Sequence, residues 1–231
     1  MATFTRDRGP LGALAAPPVT MLVCFAVREE AKFFLPPEDG DGAVQVWLTG
    51  MGRQNAAESI RAAIQHTQPQ RVLSCGFAGG LNPRFKVGDL LYDCDFDVGL
   101  AAELEELQAV PATFYCAKRV AITAEEKRQL WESTAADAVE MESSVIRTIC
   151  QEFKIPSATI RVISDAANEN LPLDFNALMT GESRIDYVKL ARTILLSPGK
   201  IPKLIKFQQQ TAAAARNMGR LLEGLIGKAC R

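Results

Sequence analysis

The chain has few of the residues that hold metals. It contains one histidine among 231 residues, and none of its six cysteines forms a Cys-x-x-Cys pair. Because clusters of these two residue types supply most zinc and iron–sulfur sites, we expect no metal and no cofactor. We expect the cysteines to be the reduced thiols of a cytoplasmic protein.

An excess of charge of one sign is also lacking. The chain has 26 basic and 27 acidic side chains, for a formal net charge of −1. A protein that follows nucleic-acid phosphates needs a basic excess, so we expect no nucleic-acid partner. The hydrophobic fraction of 48% is ordinary for a folded domain and excludes global disorder.

No unbroken apolar run suits a membrane-spanning helix. The uncharged stretch of residues 9–27 is interrupted by three prolines and two glycines, so we expect no stable membrane insertion. With Arg6 and Arg8 ahead of it, the stretch superficially resembles a secretory signal, and this alternative stays open. The preferred interpretation is a flexible tail over residues 1–20, followed by a buried strand over 22–27.

Beyond the tail, apolar segments rich in β-branched residues alternate with helical patterns, and one domain is expected over residues 21–231. The predicted strands cover residues 22–27, 44–49, 71–75, 89–93, 119–122, 138–141 and 158–164. The predicted helices cover residues 29–34, 55–67, 124–133, 142–153, 184–195 and 206–228. Strands separated by helices predict an α/β fold with a parallel or mixed sheet covered on both faces.

Two further segments are expected at the surface. The polar segment 100–110 is predicted to be a surface excursion. The segment 194–207 is broken by Pro198 and Pro202 and is predicted to be a loop. The alternative for this second segment is an apolar lip that accepts a hydrophobic substrate or touches a membrane surface.

Two glycine-rich segments follow predicted strands. In Thr49–Ala57, two glycines can expose amide groups beside a helix start and hold an anion or a polarised water. A nicotinamide site is disfavoured, because Asn55 replaces the third glycine and residues 59–88 contain no acid. In Ser74–Leu81, three glycines permit either the approach of a flat ligand or simply a tight turn.

Three acidic segments also end predicted strands. At Val139-Glu-Met-Glu142, a carboxylate suits adjacent sugar hydroxyls and a thioether suits a base or ribose face, although a solvated helix start is the alternative. At Arg161-Val-Ile-Ser-Asp165, the aspartate can deliver a proton or cap the next segment. At Arg28-Glu-Glu30, the two acids could take part in chemistry or could equally be acids in the first turn of a helix.

In their order along the chain, from residues 25–30 to residues 161–165, the five segments resemble those of the purine nucleoside and uridine phosphorylase superfamily. They are most similar to its hydrolytic branch, the methylthioadenosine/S-adenosylhomocysteine nucleosidases and the hopanoid-associated nucleosidases. The resemblance covers residues 21–174 and a C-terminal helix. It implies a three-layer α/β/α fold with a mixed, partly barrelled sheet, and a homodimer whose sites are completed by the neighbour.

The resemblance also implies roles for eight residues. Glu30 resembles the catalytic acid that activates the attacking water, and Asp165 resembles the one that serves purine N7. The implied substrate-binding residues surround the sugar and the base, and are Ala78, Gly79, Met141, Glu142, Ser164 and Arg161. Among these, the family pattern gives Glu142 the ribose hydroxyls, Met141 the nucleoside face and Arg161 the support of the acidic cluster. The chemistry is consistent, since glycosidic cleavage needs a proton donor at the leaving group and a water-activating carboxylate across the sugar.

The sequence departs from the family pattern in two places. The segment 92–119 is short and altered, and Phe114 and Tyr115 are the candidate base-stacking residues within it. The Gly-rich segment lacks a preceding arginine for a phosphate, although Arg28 and Arg53 could compensate.

The predicted function is therefore hydrolysis of an adenosine derivative of the methylthioadenosine, S-adenosylhomocysteine or adenosylhopane type. The alternative is a phosphate-dependent nucleoside phosphorylase. A non-catalytic nucleoside-binding protein is disfavoured, because it would need no acid at both faces. Apolar residues between Leu171 and Phe207 either pack the last helices or accept a bulky 5′ group.

Overall fold

The computed structural model describes residues 20–37, 43–178, 180 and 187–229, so most of the predicted tail lies outside the described residues. The strands are β1 (Met21–Phe25), β2 (Val44–Leu48), β3 (Arg71–Gly80), β4 (Leu90–Cys94), β5 (Val110–Pro111), β6 (Phe114–Cys116), β7 (Ala138–Glu140) and β8 (Ser157–Asp165). The helices are α1 (Arg28–Ala31), α2 (Arg53–Thr67), α3 (Ala101–Glu106), α4 (Ala124–Thr134), α5 (Ser143–Glu152), α6 (Phe175–Leu178), α7 (Tyr187–Leu196) and α8 (Ile201–Ala229). Among the described residues, no helix is long and apolar enough to cross a bilayer.

The strands form one mixed sheet, as predicted. Its main path runs β2-β1-β3-β8-β4-β5, and β7 joins it through β3 and carries β6. The pairs β1–β2, β1–β3 and β3–β8 are parallel, whereas β4–β8 and β3–β7 are antiparallel. The carboxyl ends of β1, β3 and β8 consequently meet at one edge of the sheet.

Helices cover both faces of this sheet, which confirms the predicted three-layer fold. Alternate residues of β1 point to opposite faces. Val23 packs in a buried cluster with Leu222 of α8. Leu22 packs in another with Ile60 of α2 and Ile149 of α5.

The predicted strand over 119–122 is wrong, and β6 lies a few residues earlier. The backbone of Val120 forms its hydrogen bonds with the side chain of Asn176, in place of a neighbouring strand. The Val120 N–H donates to Asn176 Oδ1, and the Val120 carbonyl accepts from Asn176 Nδ2, both at 2.9 Å. The Leu171 N–H donates to the Ile122 carbonyl at 2.8 Å. These contacts fix the segment as a loop against the chain that follows β8.

Two surface segments also differ from expectation. The segment 100–110 contains α3, and its Leu104 is fully buried, so this segment is part of the core rather than a simple excursion. Helix α8 begins at Ile201, so the predicted loop over 194–207 is largely helical. Pro202 is tolerated there because the first turn of a helix needs no N–H from it.

Candidate active site

A pocket of about 390 Å³ opens where the carboxyl ends of β1, β3 and β8 meet. Seven of the eight predicted site residues line it, namely Glu30, Ala78, Gly79, Met141, Glu142, Ser164 and Asp165. Arg161 is the eighth. It lies behind the lining residue Glu140 and donates a hydrogen bond to its carboxylate. The structure thus brings residues from four separate sequence motifs to one cavity.

Glu30 is held at the pocket floor by backbone donors. Its carboxylate accepts hydrogen bonds from the N–H groups of Ala26 and Phe77, each at 2.8 Å, and of Val27 at 3.2 Å. A Cβ atom at Gly76 would lie 2.6 Å from Glu30 Oε1, so glycine is required for this approach. Burial raises the pKa of Glu30, outweighing the opposing effects of these donors and of a nearby guanidinium.

Glu142 is the anion that occupies the first glycine-rich turn. Gly50 and Gly52 have φ of 79° and 83°, a conformation that favours glycine. The Gly52 N–H donates to Glu142 Oε1 at 2.7 Å. Burial, with the charge of Glu140 as the second cause, raises the pKa of Glu142 to about 7. The amide nest predicted from the sequence is therefore occupied by a carboxylate of the chain itself.

Arg161 and Glu140 form a buried ion pair behind the sheet edge. Arg161 Nη2 donates to Glu140 Oε2 at 2.7 Å, and Nη1 donates to the Ser74 carbonyl at 2.6 Å. Glu140 also accepts from the Ser143 hydroxyl and N–H, each at 2.7 Å. Burial would raise the pKa of Glu140, but the charge of Arg161 and the Ser143 donors hold it below its usual range. The pair places one fixed positive charge beside the acidic residues of the pocket.

Asp165 is held by side chains. The ammonium of Lys127 on α4 donates to Asp165 Oδ2, and the Ser164 hydroxyl donates to Oδ1 at 2.6 Å. Lys127 is fully buried and also donates to the carbonyls of Ala166 and Glu169, both at 2.9 Å. Asp165 therefore carries its own buried counter-ion.

Lys127 is not among the site residues predicted from the sequence, although the sequence carries a signal for it. Lys127 lies three and four residues before Leu130 and Trp131, on the same face of α4. A lysine on the apolar face of a helix needs a buried partner. Without the fold, however, the charge-rich start of α4 suggests only a solvated helix.

The outer wall of the pocket is apolar. Leu171, Phe175 and Phe207 line it, and the two phenylalanine rings lie 5.7 Å apart between centroids. Glu169 connects the segment after β8 to α8, because its carboxylate accepts hydrogen bonds from Lys206 at 3.0 Å and from Gln210 at 3.2 Å. The described residues of the apolar set predicted for the 5′ side therefore include wall residues, buried residues outside the pocket such as Leu173, and exposed residues such as Leu195.

The candidate base-stacking residues lie elsewhere. Phe114 packs against a buried cluster that includes Phe85 and Ile163, and Tyr115 is 37% exposed. Neither residue lines the pocket. Among the described residues, the aromatic rings of the lining belong to Phe77, Phe175 and Phe207.

The charges of the lining are mostly negative. Its acidic residues are Glu29, Glu30, Glu140, Glu142 and Asp165. The basic residue of the described lining is Arg119, which pairs with Glu126 at 2.6 Å and is 62% exposed. Arg53 lies outside the lining and donates to the Cys116 carbonyl at 3.0 Å. A phosphate dianion would meet carboxylates here rather than the bidentate arginines that it needs.

Comparison with known proteins finds this chain similar to nucleosidases and to a hydrolase. A 5′-methylthioadenosine/S-adenosylhomocysteine nucleosidase of Glaesserella parasuis is 27% identical over 164 residues, which cover 57% of this chain and 71% of that protein. The structure of futalosine hydrolase from Helicobacter pylori superposes with a TM-score of 0.65 at 18% identity, over 91% of this chain and 98% of the other. A 5′-methylthioadenosine/S-adenosylhomocysteine nucleosidase from Colwellia psychrerythraea in complex with adenine gives a TM-score of 0.63 at 19% identity, over 93% and 97%.

These structural likenesses establish the fold, and a family model establishes the family. The model of the phosphorylase superfamily matches residues 29–96 and 92–196. Together these residues span more than half of the chain. The match confirms the resemblance found in the motifs. The chain belongs to the phosphorylase superfamily.

Proposed function

We propose that this protein is a purine nucleosidase, which uses water to hydrolyse the N-glycosidic bond of an adenosine derivative. The observation that carries the proposal is the placement of two buried carboxylates along β3. Glu30 lies against Gly76, and Asp165 Oδ2 lies 3.2 Å from a Cβ built at Gly79. Three strand residues separate these points by roughly 10 Å, enough for a nucleoside between the acids. The nucleosidase relatives act on substrates of this class.

At the base end, Asp165 serves as the general acid in its protonated form, since the carboxylate that pairs with Lys127 must take up a proton from solvent before it can give one to the purine. The departing purine gains negative charge as the bond breaks, and a proton at N7 neutralises it. Ser164 and Lys127 fix the orientation of the Asp165 carboxyl group through one hydrogen bond to each oxygen. In this account Lys127 is a positioning residue, because it acts through Asp165. Ala78 and Gly79 leave room for the flat base beside this group.

At the sugar end, Glu30 activates water. Its raised pKa brings it closer to the working pH, where a carboxylate is a more effective base. Glu142 accepts hydrogen bonds from the ribose hydroxyls with the oxygen lone pairs that Gly52 leaves unused. Met141 packs on the nucleoside. Arg161 supports these acids from behind through Glu140.

Water is the acceptor in this proposal, rather than phosphate. The amide nest that could hold a phosphate is occupied by Glu142, and the lining places carboxylates where the dianion would sit. The test is product analysis on a panel of adenosine derivatives with and without inorganic phosphate. We expect free adenine and free sugar at equal rates in both conditions. Base release that requires phosphate would make the protein a phosphorylase, and tight binding without any cleavage would make it a binding protein.

The apolar wall favours a hydrophobic 5′ substituent, including one of the adenosylhopane type. Leu171, Phe175 and Phe207 would bury such a group, and apolar burial contributes about 25 cal/mol per Å². Cleavage efficiency should rise along a series from adenosine through methylthioadenosine to analogues with longer 5′-alkyl chains. A flat or falling series would return the choice to a small, generic nucleoside.

We also propose a cytoplasmic homodimer. The support for the dimer is the family resemblance, which implies sites completed by a neighbouring subunit. Light scattering at micromolar concentration should give the mass of two chains. A monomeric mass with full activity would contradict the dimer, and export from the cell would contradict the compartment.

A further inference from the structure

The corner between α7 and α8 exposes a concentrated apolar surface. We call residues 192–206 the α7–α8 corner. Leu195 and Leu196 are 81% and 73% exposed, and Ile201 and Ile205 are 40% and 51% exposed. Scattered exposed hydrophobic residues need no explanation, but four within eleven residues are a concentration typical of an interaction site.

The same region is one-sided in charge. Residues 187–222 contain seven basic side chains and no acidic one, although the whole chain has a net charge of −1. Within the corner, Arg192, Lys200, Lys203 and Lys206 are exposed beside the apolar residues. Lys206 contacts Glu169 at 3.0 Å, and this acid lies outside the corner. The corner therefore combines apolar tips with a basic surround.

We infer that the α7–α8 corner docks on an anionic lipid surface. The four apolar side chains would enter the interface between headgroups and acyl chains, and the cations would contact the headgroups. A second copy of this chain fits less well, because a two-fold interface brings the same patch against itself and would oppose like charges. Charge complementarity thus favours the lipid.

Docking would also bring the pocket close to the lipid. Phe207 and Thr211 line the pocket on the same helix that carries Ile205. They follow Ile205 by two and six residues, which is about 3 and 9 Å along the helix axis. Docking would therefore place the pocket close to the lipid, where a substrate with an apolar 5′ group is concentrated, with Phe207 and Ile205 on different sides of α8. This last consequence rests on the proposed function, whereas the docking does not.

The test is co-sedimentation of the full chain with vesicles. One set is made of neutral phosphatidylcholine, and the other contains about 30% phosphatidylglycerol as the anionic lipid. We expect binding to the anionic vesicles that weakens at high salt. Leu195→Ser/Leu196→Ser should lower the partition coefficient about tenfold or more. Lys200→Gln/Lys203→Gln should weaken binding and reduce its dependence on salt.

Two matched controls test whether position matters. Leu35 is 80% exposed outside the corner, so Leu35→Ser should leave vesicle binding unchanged. Lys118 is also exposed elsewhere, and Lys118→Gln should likewise have no effect. The Leu195/Leu196 variant should keep the circular dichroism spectrum of the parent and its rate on a short soluble nucleoside.

Three results would overturn the inference. The first is absence of binding to the anionic vesicles. The second is binding that the corner variants and the Leu35 and Lys118 controls reduce equally. The third is dissociation of an oligomer by the Leu195/Leu196 variant in sedimentation equilibrium, which would assign the corner to a protein interface. A protein without nucleosidase activity could still bind vesicles, so the two proposals fail separately.

Discussion

The two ends of the pocket hold their acids by different means. Glu30 and Glu142 are held by backbone N–H groups, which are neutral dipoles. Asp165 is held by the full charge of Lys127 and by the Ser164 hydroxyl. Backbone dipoles position an acid without cancelling its charge, so burial dominates and the pKa values of Glu30 and Glu142 are raised.

The two ends of the pocket therefore depend on different elements of the fold. The end proposed for the sugar depends on turns and on glycines, since Gly76 leaves space for Glu30 and the Gly52 N–H donates to Glu142. The end proposed for the base depends on a single helix, because α4 brings Lys127 to Asp165. Damage to one end should therefore leave a distinct kinetic signature from damage to the other.

The largest effect is expected at the base end, from Asp165→Asn. The amide has nearly the same shape but cannot deliver the proton, so kcat should fall about 10²- to 10⁴-fold while KM changes less than about tenfold. Steady-state assays of adenine release measure both constants. Asp97 is exposed outside the pocket, and Asp97→Asn is the matched control. Near wild-type turnover by the Asp165 variant would remove this residue from the acid role.

Lys127→Met should come next. It leaves the Asp165 carboxylate without its counter-ion, and breaking a buried pair typically costs about 3–5 kcal/mol in the free energy of unfolding. It should also lower kcat, because only Ser164 then orients Asp165. Denaturant unfolding and steady-state kinetics are measured for Asp165→Asn, for Lys127→Met and for the variant that combines them.

If Lys127 acts through Asp165, the double variant should lose less than the sum of the single losses, by about 0.5–3 kcal/mol. Lys118→Met, at an exposed position, is the control for losing a lysine. Strictly additive losses would show that the two residues act independently.

A smaller effect is expected for Glu142→Ala. Hydrogen bonds to a charged group contribute about 1.5–3 kcal/mol, so kcat/KM for ribosides should fall about 10- to 100-fold. A 2′-deoxy substrate lacks one of the hydroxyls and should lose less. Glu58→Ala, on the exposed side of α2, serves as the control. An equal loss for both substrates would remove Glu142 from sugar recognition.

The smallest effect concerns stability and pH. The pKa of Glu142 is about 7 in the folded chain against an ordinary 4.5, so its ionisation disfavours the folded state. This contribution is absent below about pH 4.5, grows as the pH rises through 7, and is then constant. Glu142→Gln should therefore be more stable than the parent at pH 8, on the order of 2 kcal/mol relative to pH 4.5. Urea unfolding at the two pH values measures this, and a pH-independent difference would contradict it.

The sequence was sufficient for the fold class and for naming residues that the structure brings to one pocket. Strand ends can be read from apolar runs, and parallel β1, β3 and β8 must bring their carboxyl ends to one edge. Residues at those ends, such as Ser164 and Asp165, could therefore be assigned to one pocket in advance. Their motifs carried the family resemblance that the family model confirms.

The contacts that organise the site could not be read in the same way. The pairing of Gly52 with Glu142 spans 90 residues, and that of Lys127 with Asp165 spans 38. Neither has a local signature, because it depends on how helices lie on the sheet. The wrong strand prediction at 119–122 has the same cause, a contact distant in sequence. The Asn176 side chain forms the hydrogen bonds with Val120 that a neighbouring strand would otherwise form.

The division of work between the two ends is tested most directly with a substrate whose leaving group needs no proton. 4-Nitrophenyl riboside releases a stable anion, so a general acid contributes little to its cleavage. Glu30→Gln cannot draw a proton from water and should stay impaired on this substrate as on methylthioadenosine. Asp165→Asn should be impaired on methylthioadenosine but cleave the nitrophenyl riboside at close to the parent rate. Equal losses on both substrates for both variants would contradict the account.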